Sequence, residues 1–230
     1  IKGEPHAVKA SNINPYLVDA ADLLLTNSTL PICSVPEIRY GSFALDDGNY
    51  TLTALDRQEL IDTQSVIEKY IRPFIGGQEL IRNQARFCLW LRDIEPQILK
   101  SMPAVLKRVE AVQKWRKSSD RKTTQDLAIT PALFAEIRQP NTNYLAFPTV
   151  SSERRAFIPI AFLDANVIAS NQVYIIPDAT LFSFGILTST MHMAWVRSVC
   201  GRLKSDFRYS AGIVYNNFPW PAPTDEQKAK

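Results

Sequence analysis

Three charged residues, Lys204, Asp206 and Arg208, alternate near the carboxy-terminal end in the run "GRLKSDFRYSAGIVYNNFPWP" over 201–221. If 204–209 is extended, the two-residue period of a strand sets these three on one face and Ser205, Phe207 and Tyr209 on the other. A helix would part Asp206 from the other two. The charged face then offers donor, acceptor, donor, with Phe207 and Tyr209 anchoring the backbone from behind. Chemically, lysine can donate to guanine O6 and N7, aspartate can accept from cytosine N4, and arginine prefers guanine or a phosphate. The plainer alternative is a surface ion pair between Lys204 and Asp206, which contributes little.

The elements that must hold such an edge are legible upstream. The clearest helix covers 95–118, where Ile98, Met102, Val105, Val109 and Val112 recur at steps of four, three, four and three, a stripe extended by Trp115. Pro96 suits its first turn, and Pro103 bends or shortens it. Opposite the stripe, Lys100, Lys107 and Lys114 repeat every seven residues. With Arg108, Arg116, Lys117, Arg121 and Lys122 they make eight basic residues against Glu110 and Asp120. Two readings stay open for this face: simple solvation, or a ridge that contacts phosphates.

A shorter helix over 56–70 is closed by Pro73, and "FIGGQELIRNQARFCLWL" reads as a Gly76-Gly77 turn, a brief helix and a strand over 86–91. Asp47-Gly48, between β-rich runs, predicts a hairpin or tight turn. Beyond Thr130, "ALFAEIR", "TNYLAFPTV", "RAFIPIAFL" and "QVYIIP" read as short strands. The apolar run 179–199, capped by Asp178 and stopped near Gly201, predicts one buried helix, with Met191, His192 and Met193 as core packing. The class is therefore α+β, a mixed or antiparallel sheet packed with two main helices.

The 230 residues suit one domain, with or without an appendage, and 46% hydrophobic residues suffice for its core. A formal net charge of +3 permits an anionic partner without demanding one. No apolar run reaches the roughly 18–20 residues of a membrane span and "IKGEPHAVKA" lacks a signal pattern, so a soluble, cytoplasmic chain with no membrane association is expected. Cys33, Cys88 and Cys200 are far apart, and His6 and His192 are the only histidines, which leaves little to build a metal site or a disulfide.

Eight glycines with neither a GxGxxG nor a P-loop pattern give a nucleotide-cofactor fold no footing, and a serine or cysteine hydrolase lacks a well-placed histidine. Glu226, Gln227 and Lys228 have the shape of a nuclease carboxylate-x-lysine element without a strand bearing a partner aspartate. Asn14-Pro15-Tyr16 resembles the loop that holds a flipped adenine in amino-group DNA methyltransferases, but one proline is missing and no methyl-donor domain precedes it. No catalytic residue is expected in this chain. Ile1 in the place of an initiator methionine and the polar end "PTDEQKAK" fit a piece of a longer polypeptide.

Five ordered runs, "SNINPYL", "YIRPFIGGQELIRNQARFCLWL", "VSSERRAFIPIAFL", "SNQVYIIPDATLF" and "GRLKSDFRYSAGIVYNNFPWP", together resemble the target recognition domain of MmeI-like (type IIL) DNA methyltransferase and restriction proteins, over 12–221. The resemblance implies a long parent polypeptide with a nuclease, a helical spacer, an adenine-N6 methyltransferase, this domain and a helical end. Residues 1–20 would be a connector after the methyltransferase, 21–221 the target recognition domain, and 222–230 the start of a truncated helical region. The implied partners are double-stranded DNA and the methyltransferase and nuclease domains of the same polypeptide. S-adenosylmethionine is implied for the parent methyltransferase, and no cofactor for this chain.

The family uses a charged pair at the places of Lys204 and Asp206 to read one base pair, with the signs able to swap; here the expectation is Lys204 on guanine and Asp206 on the paired cytosine. It also places base-reading side chains at Asn171-Gln172, suited to bidentate contact with adenine, where Arg208 would couple with Gln172. Thr149 is a further base-reading candidate. Ser151, Ser152, Arg154 and Arg155 of "SSERR", with Lys100, Lys107 and Lys114, are expected on phosphates. The rival reading is a protein-interaction scaffold module whose mixed charges set interface specificity.

Overall fold

A computed structural model describes residues 7–15, 17, 19–22 and 24–228. In chain order the elements are β1 (Arg39–Tyr40), β2 (Thr51–Leu52), α1 (Ala54–Thr63), a 3-10 helix (Ser65–Tyr70), β3 (Ile71–Ile75), α2 (Gly77–Arg82), β4 (Phe87–Leu89), α3 (Pro96–Lys100), α4 (Pro103–Lys117) and α5 (Lys122–Asp126). There follow β5 (Tyr144–Pro148), β6 (Val150–Ser151), β7 (Ala161–Leu163), β8 (Ile168–Ala169), β9 (Val173–Pro177), α6 (Leu181–Leu187), α7 (Thr190–Val199), β10 (Gly201–Leu203), β11 (Asp206–Arg208), a π-helical turn (Ala211–Tyr215) and α8 (Asp225–Lys228). They fall into a larger unit, Ile38–Thr149 with Pro159–Phe184, and a smaller one formed by the residues before 38, Val150–Ile158 and those from Gly185 onward. The fold is α+β, with both a mixed and antiparallel sheets.

The larger unit holds two four-stranded sheets, β1-β9-β5-β7, antiparallel throughout, and β2-β4-β3-β8, in which β3 and β8 run parallel. Its core forms where the α4 stripe (Val105, Val109, Val112), with Met102, meets Tyr50, Leu52, Phe74 and Leu89. Each such side chain contributes roughly 1.5–3 kcal/mol by leaving water.

The predicted helix over 95–118 is two helices. Pro103 has no N–H to continue α3, and instead occupies the first turn of α4 as Pro96 does that of α3. Over 56–70, α1 ends at Thr63 and passes into the 3-10 helix; Pro73 closes no helix but lies in β3 opposite Phe87. Asp47-Gly48 does form a turn, with φ of 52° and 78°, yet β1 and β2 pair with β9 and β4 rather than with each other. "ALFAEIR" contributes only an isolated bridge, Glu136 to Phe43.

The run 179–199 likewise breaks, at Thr188-Ser189, where Ser189 Oγ accepts from His192 N–H at 3.1 Å and opens α7. Thr180, not Asp178, caps α6: its Oγ1 accepts from Ser183 N–H at 3.2 Å, while Asp178 sits at φ 53° and accepts from the Thr142 hydroxyl. Met191 is 54% exposed, unlike buried His192 and Met193.

The smaller unit carries the three-stranded antiparallel sheet β10-β11-β6. Its core gathers His192, Met193, Val196, Phe207, Tyr209, Tyr215, Phe218 and Trp220. "NNFPWP" therefore packs inside this unit. Residues 28–36 are stitched to it by Ser28 N–H to the Gly212 carbonyl (3.0 Å), Ile32 N–H to that of Asn216 (2.8 Å) and Tyr215 Oη to that of Pro36 (2.7 Å). His6 and Tyr16 lie outside the described residues. Among those described, no helix is long and apolar enough to cross a membrane.

Candidate nucleic-acid interface

Lys204 and Asp206 do not share a strand. Leu203 pairs with Asp206 and Arg202 with Phe207, so β10 and β11 close on a two-residue tip, Lys204-Ser205, with Lys204 at φ 57°. The alternation survives only from Asp206 onward: Asp206 and Arg208 share one face, and Phe207 occupies the other, covered by the Arg202 guanidinium at 3.9 Å from its ring centroid. Lys204 and Arg208 are exposed and Asp206 is half-buried. No ion pair joins Lys204 to Asp206 among the described residues.

Behind the hairpin, Phe207 and Tyr209 are buried as anchors. The Tyr209 hydroxyl meets His192 Nε2 at 3.1 Å, and His192 Nδ1 meets the Leu187 carbonyl at 2.8 Å. Burial pushes His192 down to about 4, so near neutral pH the ring is uncharged, with Nδ1–H donating to Leu187 and Nε2 accepting from Tyr209.

In the larger unit, residues 170–172 join β8 to β9 under close constraint. A β-carbon on Gly41 would stand 2.4 Å from the Ser170 carbonyl oxygen, so only glycine can run there. Ser170 N–H donates to the Ile75 carbonyl at 2.8 Å, and both Thr149 N–H and Thr149 Oγ1 reach the Gln172 carbonyl at 3.3 Å. Asn171 and Gln172 are exposed and border an open groove of 390 Å³ shared with Asp46, Asp47, Arg86 and Trp115. The structure thus brings Thr149, Asn171 and Gln172 together. Arg208 belongs to the other unit.

The family model for the MmeI target recognition domain matches residues 19–222. The chain belongs to that family. It is 38% identical over 218 residues to DNA methyltransferase A of Bacillus subtilis (strain 168), a match that spans 95% of this chain and 25% of that protein. The solved structure of the type IIL restriction-modification enzyme MmeI in complex with DNA superposes with a TM-score of 0.92 at 48% identity, over 99% of this chain and 30% of the MmeI chain. This target recognition domain therefore spans about a quarter to a third of the longer proteins it matches.

The basic residues of the target recognition domain divide by role. Lys100, on α3, and Lys107 and Lys114, on α4, are exposed. Arg116 leaves the proposed ridge: it is fully buried and donates to five carbonyls, those of Ala44, Leu45, Leu127, Thr130 and Leu133, at 2.9–3.2 Å. Arg108 donates to the Asn49 carbonyl at 2.9 Å, so it too serves the fold. In "SSERR", Ser152 is half-buried and Arg154 and Arg155 are exposed, but Ser151 pairs with Phe207 on the inner face and is 2% exposed. Its burial withholds it from a phosphate. Sequence pattern does not mark Arg86 and Asp47 as groove residues, since nothing local ties positions 47 and 86 to 172.

Proposed function

We propose that this target recognition domain reads double-stranded DNA for a parent adenine-N6 methyltransferase, with Lys204 on a guanine and Asp206 on the cytosine paired with it. The observation that carries the reading is the hairpin tip. A non-glycine residue in the left-handed region costs about 1–2 kcal/mol, least for asparagine or aspartate, and Lys204 at φ 57° is neither of these. Strain of this kind persists where the side chain is needed. Likeness to MmeI, solved with DNA, supports the same reading.

Asn171, Gln172 and Thr149 form the second base-facing group, while Lys100, Lys107, Lys114, Ser152, Arg154 and Arg155 meet phosphates and fix register. Methyl transfer takes place in the rest of the polypeptide with S-adenosylmethionine as donor, and cleavage, where a nuclease is present, uses a divalent metal. The chain itself positions the target adenine and catalyses nothing.

The test is competition binding by the intact parent between a duplex carrying its own methylation motif and one altered at a single motif position. The altered duplex is expected to bind roughly tenfold or more weakly, the cost of one mismatched base pair. Equal affinity across motif and altered duplexes, with assembly of the polypeptide intact, would favour the scaffold reading instead.

A further inference from the structure

Gly76 is the meeting point of three polar side chains in the larger unit. A β-carbon there would stand 2.7 Å from Glu79 Oε2, 2.8 Å from Arg86 Nη2 and 2.9 Å from Gln172 Oε1. Two of the three are fixed from below. Arg86 pairs with Glu79 at 3.0 Å and lies 4.7 Å from the ring centroid of Phe74, a core residue of β3. Glu79 also accepts from Gly76 N–H at 2.9 Å, which locks the start of α2 to the same spot.

The cluster has a chemical direction. Arg86 Nε is buried without a hydrogen-bond partner, so its surroundings do not exhaust its donors. A guanidinium attracts the carbonyl end of an amide and repels the NH₂ end. Arg86 and Gln172 share no hydrogen bond, so the attraction acts across the Gly76 site; there the Gln172 oxygen, not its nitrogen, is among the three nearest atoms.

We propose that Arg86, set by Glu79 and Phe74 and given room by Gly76, is a positioning residue that fixes the amide of Gln172 with its oxygen inward. Gln172 then presents a donor alone, not the donor and acceptor together by which an amide recognises adenine. The base it meets is one that offers an acceptor in the major groove, guanine or thymine. This inference rests on the reading that Gln172 faces a base.

The test is the methylation rate of the intact parent on duplexes varied at every motif position, with binding to a non-specific duplex as the measure of folded protein. Q172A is expected to flatten the preference at one position. R86Q, which removes the charge, should shift the preference at that same position toward adenine by roughly tenfold. G76A, which pushes the amide aside, should disturb the same position, and R86K, which keeps the charge, should retain most of the native preference. The inference is overturned if Q172A changes the preference while R86Q and G76A leave it intact, or if they weaken all duplexes in equal proportion. Should R86Q not fold, R86K and G76A decide alone. Q172A without effect at any position removes the reading of Gln172 itself, and this inference with it.

Discussion

The two turns proposed to face the bases are built in opposite ways. Lys204 stands on an exposed hairpin tip whose hold on the core runs through Phe207 and Tyr209, so its side chain can change without touching that anchor. Gln172 stands on a segment clamped by Gly41, Thr149 and Ile75, beside the Gly76–Arg86 cluster. The difference teaches where specificity is exchangeable. A residue on the tip is replaceable without disturbing its anchor, whereas one on the clamped segment is tied to structural neighbours that must change with it.

The contrast breaks first at Arg116, which ties Ala44 and Leu45, at the rim of the groove beside Gln172, to the end of α4. R116M removes all five bonds from the buried guanidinium and leaves the Leu45 and Leu133 carbonyls without those donors, while the Ala44, Leu127 and Thr130 carbonyls keep backbone N–H donors; it is expected to cost about 3–5 kcal/mol in urea unfolding. A loss below about 1 kcal/mol would show that the clamped side is no stiffer than the hairpin.

On the hairpin side, His192 sets a pH limit. Its pKa of about 4 lies below the ordinary 6.5, so as pH falls below 6.5 the unfolded chain binds a proton that the folded chain refuses. Stability should be flat from this source above pH 6.5 and fall by on the order of 3 kcal/mol between there and pH 4. H192F should flatten this limb of the pH–stability curve; an unchanged limb would assign it to other groups.

A smaller effect sharpens the comparison at the tip. K204G relieves the positive φ and should leave the protein as stable or up to about 1 kcal/mol more so, while discrimination at one base position falls. A destabilised K204G would mean that the lysine serves the fold. Smallest of all for stability are K107Q and K114Q, expected within about 0.5 kcal/mol of the parent. Each should flatten the salt dependence of DNA binding by about one unit of slope, equally for all sequences; unaltered slopes would return these lysines to plain solvation.

Much of this was legible in the sequence where period and length agreed. The α4 stripe, the turn at Asp47-Gly48 and the anchors Phe207 and Tyr209 follow from residue pattern alone. Arg116 is legible from spacing though not from charge: it continues the steps of four, three and four through Val105, Val109 and Val112 onto the buried face. The Lys204 alternation misled because a two-residue turn preserves alternation along the chain while ending the shared face. Burial of "NNFPWP" and convergence at Gly76 are tertiary facts, made by approaches such as Tyr215 to Pro36 and the Gln172 side chain to the space beside Gly76 that no local pattern records.

The central claim is that Lys204 and Asp206 read one G·C pair, and a charge exchange tests it most directly. The doubly substituted parent, Lys204→Glu with Asp206→Arg, should be expressed in a host lacking other methylation and its methylated bases mapped across the genome. The expected result is a motif altered at a single position, with guanine and cytosine exchanged there and the methylated adenine unmoved. A motif identical to that of the unsubstituted protein would contradict the account.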